Sequence, residues 1–260
     1  MTKTKHTIVA ALIAAAFTVT AQAGQSVAKT TPASVTTTSE SQLTGSLDVT
    51  VASDYVFHGQ KIDSNPVVIP QLNIAYPLSR NVRVEASVQQ VLGTRGDSWY
   101  KTQYNAGLAL KAGSFTLTPG FELDTSPANS FKDSKAVTAR LAFDDSGLLP
   151  VTLNPYVSVL NRIGSVHGNT WEAGVAPSKT FGVLAVSVPV AVGAGAGGYY
   201  TSGKDGVHYA YASVGLAATY KVTERLSLNA STVAYTTDDR LGNGKDNNFL
   251  TTQAGVSVSF

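Results

Sequence analysis

From residue 43 to the C-terminus the sequence repeats one pattern about twelve times: some ten residues alternating apolar with polar, then a short cluster of Gly, Asp, Asn, Ser or Pro. A side-chain period of two belongs to β-strands, because the apolar positions of an amphipathic helix recur at three and four. In the first segment Leu47, Val49, Val51, Tyr55 and Phe57 alternate with Ser46, Asp48, Thr50 and Asp54. The cleanest segment sets Val82, Val84, Ala86 and Val88 against Arg83, Glu85, Ser87 and Gln89, and the last sets Ala254, Val256, Val258 and Phe260 against Gln253, Ser257 and Ser259. The chain is therefore expected to be all-β and antiparallel, with about 12 strands, an even number.

A soluble sandwich and a membrane barrel both give alternating strands, so the connections have to decide between them. Short links at 77–81, 111–114, 144–150, 178–183 and 221–225 take turns with longer, polar ones at 58–66, 92–99, 125–134, 161–168, 195–206 and 236–248. This order predicts a transmembrane up-and-down barrel with short periplasmic turns and longer extracellular loops. Two aromatic girdles follow if the first strand runs outward. Tyr55, Phe57, Trp99, Tyr100, Trp171, Tyr199, Tyr200, Tyr209, Tyr235 and Phe249 fall at the loop end, and Tyr76, Phe115, Phe143, Phe181, Tyr220 and Phe260 at the turn end. Pro70, Pro119, Pro155 and Pro189 oppose this reading, because proline cannot donate to a ladder and a closed barrel has no free edge. They keep a soluble periplasmic or secreted sandwich as the alternative.

The N-terminus carries Lys3, Lys5 and His6, an apolar run from Ile8 to Val19, and Ala21-Gln22-Ala23. That order is expected of a secretory signal peptide at 1–23, and the run is too short for a membrane-spanning helix. Residues 24–42, rich in Ser and Thr, are expected to be a flexible linker before a barrel at 43–260. Without Lys3 and Lys5 the basic residues fall to 17 and match the 17 acidic ones. No basic stripe remains to recruit nucleic acid. The absence of cysteine excludes disulfides, a thiol nucleophile and Cys-based metal sites.

Two stretches resemble known proteins. The terminal Val256-Ser257-Val258-Ser259-Phe260, with Val256, Val258 and Phe260 alternating up to a final aromatic, resembles the signal read by the barrel-assembly machinery of Gram-negative bacteria. The resemblance implies that machinery as a partner. Ser53-Asp54-Tyr55-Val56-Phe57-His58-Gly59, followed by Asn65-Pro66, resembles the opening strand of the TorF-type porin family, which typically reads Ser-Asp-Tyr-x-Phe-Arg-Gly. His58 stands where that family usually carries arginine. The resemblance implies an outer-membrane location and a pore.

Candidate functional residues are the charged ones on the expected inner face: Asp48, Arg83, Glu85, Glu122, Arg140 and Glu172. In a pore they would set the field felt by a passing solute, and in a narrow lumen they would pair and fill it. The small residues Ala185, Ser187 and Ala191 would leave room on one wall. Only His58, His167 and His208 remain outside the leader, all in loop or rim positions, without a spacing that makes a zinc site or a catalytic triad. Asp238, Asp239 and Asp246 lack EF-hand spacing. Gly193 to Gly198 fits a dinucleotide fingerprint only formally, because no helix follows. Arg95-Gly96-Asp97 is a candidate adhesive triplet in an outer loop. The expected function is passive diffusion of small hydrophilic solutes or ions across the outer membrane, surrounded by lipid, with no cofactor, metal or enzymatic activity. A closed barrel whose loops bind a surface partner is the alternative, and a barrel hydrolase using one of the histidines is a third reading.

Overall fold

The computed structural model describes residues 42–94, 99–127, 131–146, 148, 151–164, 167–198, 206–241 and 247–260, so the expected signal peptide, the linker up to residue 41 and Arg95-Gly96-Asp97 lie outside the described residues. The strands are β1 (Thr44–Ala52), β2 (Tyr55–Phe57), β3 (Gln60–Asp63), β4 (Val67–Pro77), β5 (Val82–Gly93), β6 (Trp99–Ala112), β7 (Phe115–Thr125), β8 (Ser134–Phe143), β9 (Tyr156–Ile163), β10 (Gly168–Val175), β11 (Ser178–Phe181), β12 (Leu184–Ser187), β13 (Val190–Ala196), β14 (His208–Lys221), β15 (Leu226–Thr237) and β16 (Asn248–Ser259). All except β2 and β3 belong to one antiparallel sheet of 14 strands, and the pairing of β14 with β15 closes it.

Two pairs of these strands are halves of single staves. Val175 opposes Val190 and Ser178 opposes Ser187, so the β10–β13 register continues unchanged into β11–β12. The interruption falls where Pro177 faces Val188, whose N–H still donates to the Pro177 carbonyl at 2.8 Å. Counted as staves, the barrel has twelve, as the alternation predicts. The expected turn at 178–183 shortens to Gly182-Val183, where Gly182 has a φ of 63°.

The prolines are accommodated by giving up rungs on one side only. Pro70 sits in the unbroken β1–β4 ladder opposite Val49, while the β4–β5 register runs from Val68↔Leu92 directly to Gln71↔Gln89. Pro119 opposes Ala139 in the unbroken β7–β8 ladder, and the β6–β7 register skips from Gly107↔Gly120 to Leu110↔Leu117. Each missing N–H thus opens a local gap toward one neighbour while the other ladder holds the strand. Pro155 lies just before β9 and Pro189 just before β13, and their carbonyls accept from Phe143 and Gly215 at 2.9 and 2.8 Å. The expected start of the seventh stave at Val151 is corrected: residues 151–155 bend, with Asn154 at a φ of 50° and the Asp145 carboxylate accepting the N–H groups of Leu153 and Asn154 at 2.7 and 2.9 Å.

One sheet face is apolar and exposed, with Leu47, Leu72, Leu108, Leu117, Val157, Val192, Val214 and Leu216 open to the surroundings. In a closed barrel that face is the outside. The turn-end girdle is present, since Tyr76, Phe115, Phe181, Tyr220 and Phe260 are all exposed.

The loop-end girdle is smaller than expected. Tyr55 and Phe57 do not continue the first strand, which ends at Ala52; they belong to the separate β2–β3 hairpin and are buried. The hairpin turns at His58-Gly59, with φ values of 48° and 77°, between the paired Phe57 and Gln60. Two residues with positive φ in that place make a type I′ turn, whose twist suits a tight hairpin. Tyr235 is also buried, and its ring stacks on Phe249 at 5.0 Å. Trp171 and Tyr209 remain exposed at this end, whereas Tyr199 and Tyr200 lie outside the described residues.

Candidate functional site

The candidate site is the barrel interior, which the β2–β3 hairpin divides in two. The hairpin leaves the loop end of β1 and folds inward. Tyr55 and Phe57 pack with Ala52, Val67, Ile69 and Val91 on the β1, β4 and β5 wall. Val56 points the other way, into Ala210, Tyr211, Val233, Tyr235 and Leu241. Alternation along a strand explains the split: a two-faced hairpin inside a barrel can bury its two faces against different arcs of the wall. Beside its tip, the Lys101 ammonium of β6 lies 3.7 Å from the centre of the Phe57 ring and Tyr211 of β14 packs against Gly59, and β6 and β14 stand six staves apart in the ring of twelve. The hairpin therefore crosses the lumen.

Three groups of polar residues line the interior. The first holds the hairpin tip. The Lys101 ammonium forms an ion pair with Asp124 at 2.9 Å, both almost fully buried, and sits 3.7 Å from the centre of the Phe57 ring. A cation on a ring face in a desolvated site is worth more than in water. Glu122 lies one inward position from Asp124 on the same strand and takes a hydrogen bond from Gln103. His58 meets Phe57 edge-on at 4.5 Å. Lys61 on β3 pairs with Asp54 at 3.9 Å and lies over Phe249 at 4.3 Å.

The second group runs along the wall from β8 to β14. The Arg140 guanidinium stacks over Tyr156 at 3.7 Å, the Tyr156 hydroxyl donates to Glu172 at 2.6 Å, and Tyr211 donates to the other oxygen of Glu172. The Tyr211 ring lies between two glycines, since a Cβ at Gly193 or Gly59 would come within 2.1 or 2.4 Å of it. Gly193, part of the glycine run at 193–198, is therefore needed for close packing, and the run continues as the end of β13 and a turn at Gly197-Gly198.

The third group occupies the turn-end half. Asn73 donates to Ser46 at 3.1 Å and to Asp48 at 2.9 Å, and accepts from Gln71 at 2.7 Å. Arg83 donates through Nε to Glu85 at 2.8 Å. Their side chains are 52% and 36% exposed, against 7% and 6% for Glu122 and Glu172, so the expected set of six divides into a wet group and a packed one. Asp48 belongs with the wet group, Arg140 with the packed one.

Sequence reasoning missed Lys101, Asp124, Arg162 and Tyr211. The first three obey the same inward parity as Gln103, Glu122 and Leu160, and extending each strand one pair toward the loops would have found them. Tyr211 follows a bulge, because the β13–β14 register shifts between Gly193 and Ala194, and period-two counting from the turn end places it correctly only up to that shift. Of the histidines, His58 caps the hairpin, His208 begins β14 and His167 precedes β10. Among the described residues no group of three His, Cys, Asp or Glu could hold a metal ion. At the chain end, Phe260 and Gly45 exchange backbone hydrogen bonds at 2.9 and 3.0 Å, and the Phe260 ring covers Gly45. Val258 and Phe260 lie exposed on the outer face.

Neither a family description nor any curated protein matches the sequence. Solved structures do share the fold. The NanC porin aligns with a TM-score of 0.54 at 13% identity, covering 82% of this chain and 98% of its own. An outer membrane channel from Pseudomonas putida F1 aligns with a TM-score of 0.55 at 9% identity, covering 88% and 99%. The KdgM porin, solved in complex with disordered oligogalacturonate, aligns with a TM-score of 0.51 at 13% identity, covering 83% and 99%. The chain thus has the architecture of outer-membrane barrels of porin type, over nearly the full length of those proteins.

Proposed function

We propose that the protein is an outer-membrane channel through which small hydrophilic solutes or ions diffuse passively, constricted at the loop end by the β2–β3 hairpin. The observation that carries this reading is the contrast between the two faces of one closed sheet: exposed aliphatic residues outside, and inside a turn-end half lined by Asp48, Asn73, Arg83 and Glu85. A lipid-facing belt around a polar interior is the pattern of a barrel that spans an outer membrane. The short turns then face the periplasm, and Val256, Val258 and Phe260 serve the assembly machinery during biogenesis. The TorF-type resemblance agrees with this reading, with its motif placed in the constricting hairpin. Diffusion needs no catalytic group, so the histidines take no part in chemistry.

The test is a planar bilayer. The refolded mature chain is expected to give discrete conductance steps. Arg83→Glu sets a second carboxylate beside Glu85, and its reversal potential in a salt gradient is expected to shift toward cations. An unchanged reversal potential would remove Arg83 from the conduction path. The packing of the hairpin favours one other reading, a closed barrel that acts through its loops. Silence of the bilayer, even after the hairpin is removed, would select it.

A further inference from the structure

The outer face of the barrel carries little charge, and what it carries has one sign. Among the described residues of the wall strands, the carboxylates Asp48, Glu85, Glu122, Asp124 and Glu172 all keep the inward parity. Two lysines face out. Lys135 on β8 stands between Leu123 and Ile163, and Lys179 on β11 stands beside Val186, both exposed on the apolar side of the sheet. They mark opposite ends of the wall. Lys179 lies in the turn-end girdle, 5.7 Å from the centre of the Phe181 ring. Phe143, whose ring packs on Phe115 at 4.9 Å, belongs to the same girdle, and Lys135 is the outward residue at the other end of its strand. The two are about 27 Å apart along β8. A strand tilted by about 40° turns that into roughly 20 Å of height, close to the depth of the apolar band of an outer-membrane barrel. Lys135 thus reaches the headgroup level, where an ammonium meets phosphate instead of hydrocarbon.

Lys135 differs from Lys179 in its company. Asn161 on β9 faces outward and is exposed, interrupting the run of Val157, Val159 and Ile163, and it pairs directly with Asn169 on β10. It opposes Val137, so Lys135 is its diagonal neighbour on the same face, about 7–8 Å away. Trp171, exposed, is the next outward residue after Asn169 on the side of the apolar belt. From the belt toward the loops the face therefore presents an indole, two carboxamides and an ammonium. The side chains of Lys135, Asn161 and Asn169 have no hydrogen-bond or ion-pair partner among the described residues. An ammonium has three donors and no acceptor, which suits a phosphate, whereas each carboxamide has an acceptor oxygen as well as donors. A phosphate alone gives those oxygens nothing to accept from. Sugar hydroxyls supply the donors, and the apolar face of a sugar ring can rest on the indole.

We propose that the outward face of β8–β10 at the loop end binds the headgroup of a phosphorylated glycolipid, with Lys135 on the phosphate and Asn161 and Asn169 on the sugar hydroxyls. This rests on the barrel spanning a membrane with its loops outward, and it is independent of whether the lumen conducts.

The probe is diphosphoryl lipid A, titrated into the detergent-folded protein and read by native mass spectrometry, beside its dephosphorylated form and phosphatidic acid. Saturable binding of the diphosphoryl form is expected. Lys135→Gln should weaken it about tenfold, the worth of one charge-assisted hydrogen bond. Lys135→Arg should restore it, Asn161→Leu should weaken it several-fold, and Lys179→Gln at the other rim should leave it unchanged. Heat-modifiable migration on a gel confirms that each variant is folded. Parent-like affinity in Lys135→Gln, an equal loss in Lys179→Gln, or equal binding of the dephosphorylated form would overturn the proposal. Phosphatidic acid that binds as tightly, with the same dependence on Lys135, would make the occupant a phospholipid and overturn the role of the two asparagines. A folded barrel that binds no lipid A sinks the site alone, whereas a chain that stays soluble without detergent and shows no heat-modifiable form sinks the membrane reading with it.

Discussion

The two halves of the barrel interior are built from the same alternating strands but solve opposite problems. In the turn-end half, the charged side chains of Asp48, Arg83 and Glu85 keep contact with water, although Ser46 and Ser257 beside them are buried. Arg83, the most exposed of them, still pairs with Glu85. In the loop-end half the inserted hairpin removes that water, and every charge then needs a partner: Lys101 has Asp124 and the Phe57 ring, and Glu172 has two tyrosines. The same residue types are loosely held in one half and indispensable to packing in the other, because the cost of an unpaired charge depends on its access to water.

This contrast can be broken from either side. Lys101→Met leaves Asp124 buried without its partner and should cost about 3–5 kcal/mol in denaturant unfolding of the refolded barrel. A loss below about 1 kcal/mol would mean that water reaches Asp124 and that the loop-end half is not packed. Asn73→Ala removes hydrogen bonds to Ser46, Asp48 and Gln71, yet in a wetter setting it should cost no more than about 1 kcal/mol. A larger loss would show the turn-end half to be as closely packed as the other and would erase the comparison.

Much of the fold was legible because a barrel repeats one rule. Period two places Leu47 and Val84 outside and Asp48 and Arg83 inside, and the alternation of short with long links sets the closure. The prolines that opposed a closed barrel turn out to cost rungs toward one neighbour only, which no count of strand residues foretells. The hairpin was misread for a physical reason. Tyr55 and Phe57 continue the parity of Val49 and Val51, and alternation is indifferent to whether a strand goes on up the wall or turns into the lumen after Ser53-Asp54. A local signal was nevertheless present. His58-Gly59, after the apolar Tyr55-Val56-Phe57, is a two-residue hairpin turn with glycine at the second of two positions that need positive φ. The charges of the loop-end half were missed for a related reason, since their importance arises only once the hairpin excludes water from them.

The central claim is that this hairpin fills the lumen of an otherwise continuous polar barrel. Replacing residues 54–64 by a short Gly-Ser linker removes it without touching a stave, and single-channel conductance at pH 7.5 compares the shortened protein with the protein that keeps it. The account predicts a folded, heat-modifiable barrel whose unit conductance is clearly larger than that of the intact protein. Equal conductance in the two would contradict it, placing the constriction in the strand wall and leaving the hairpin outside the path.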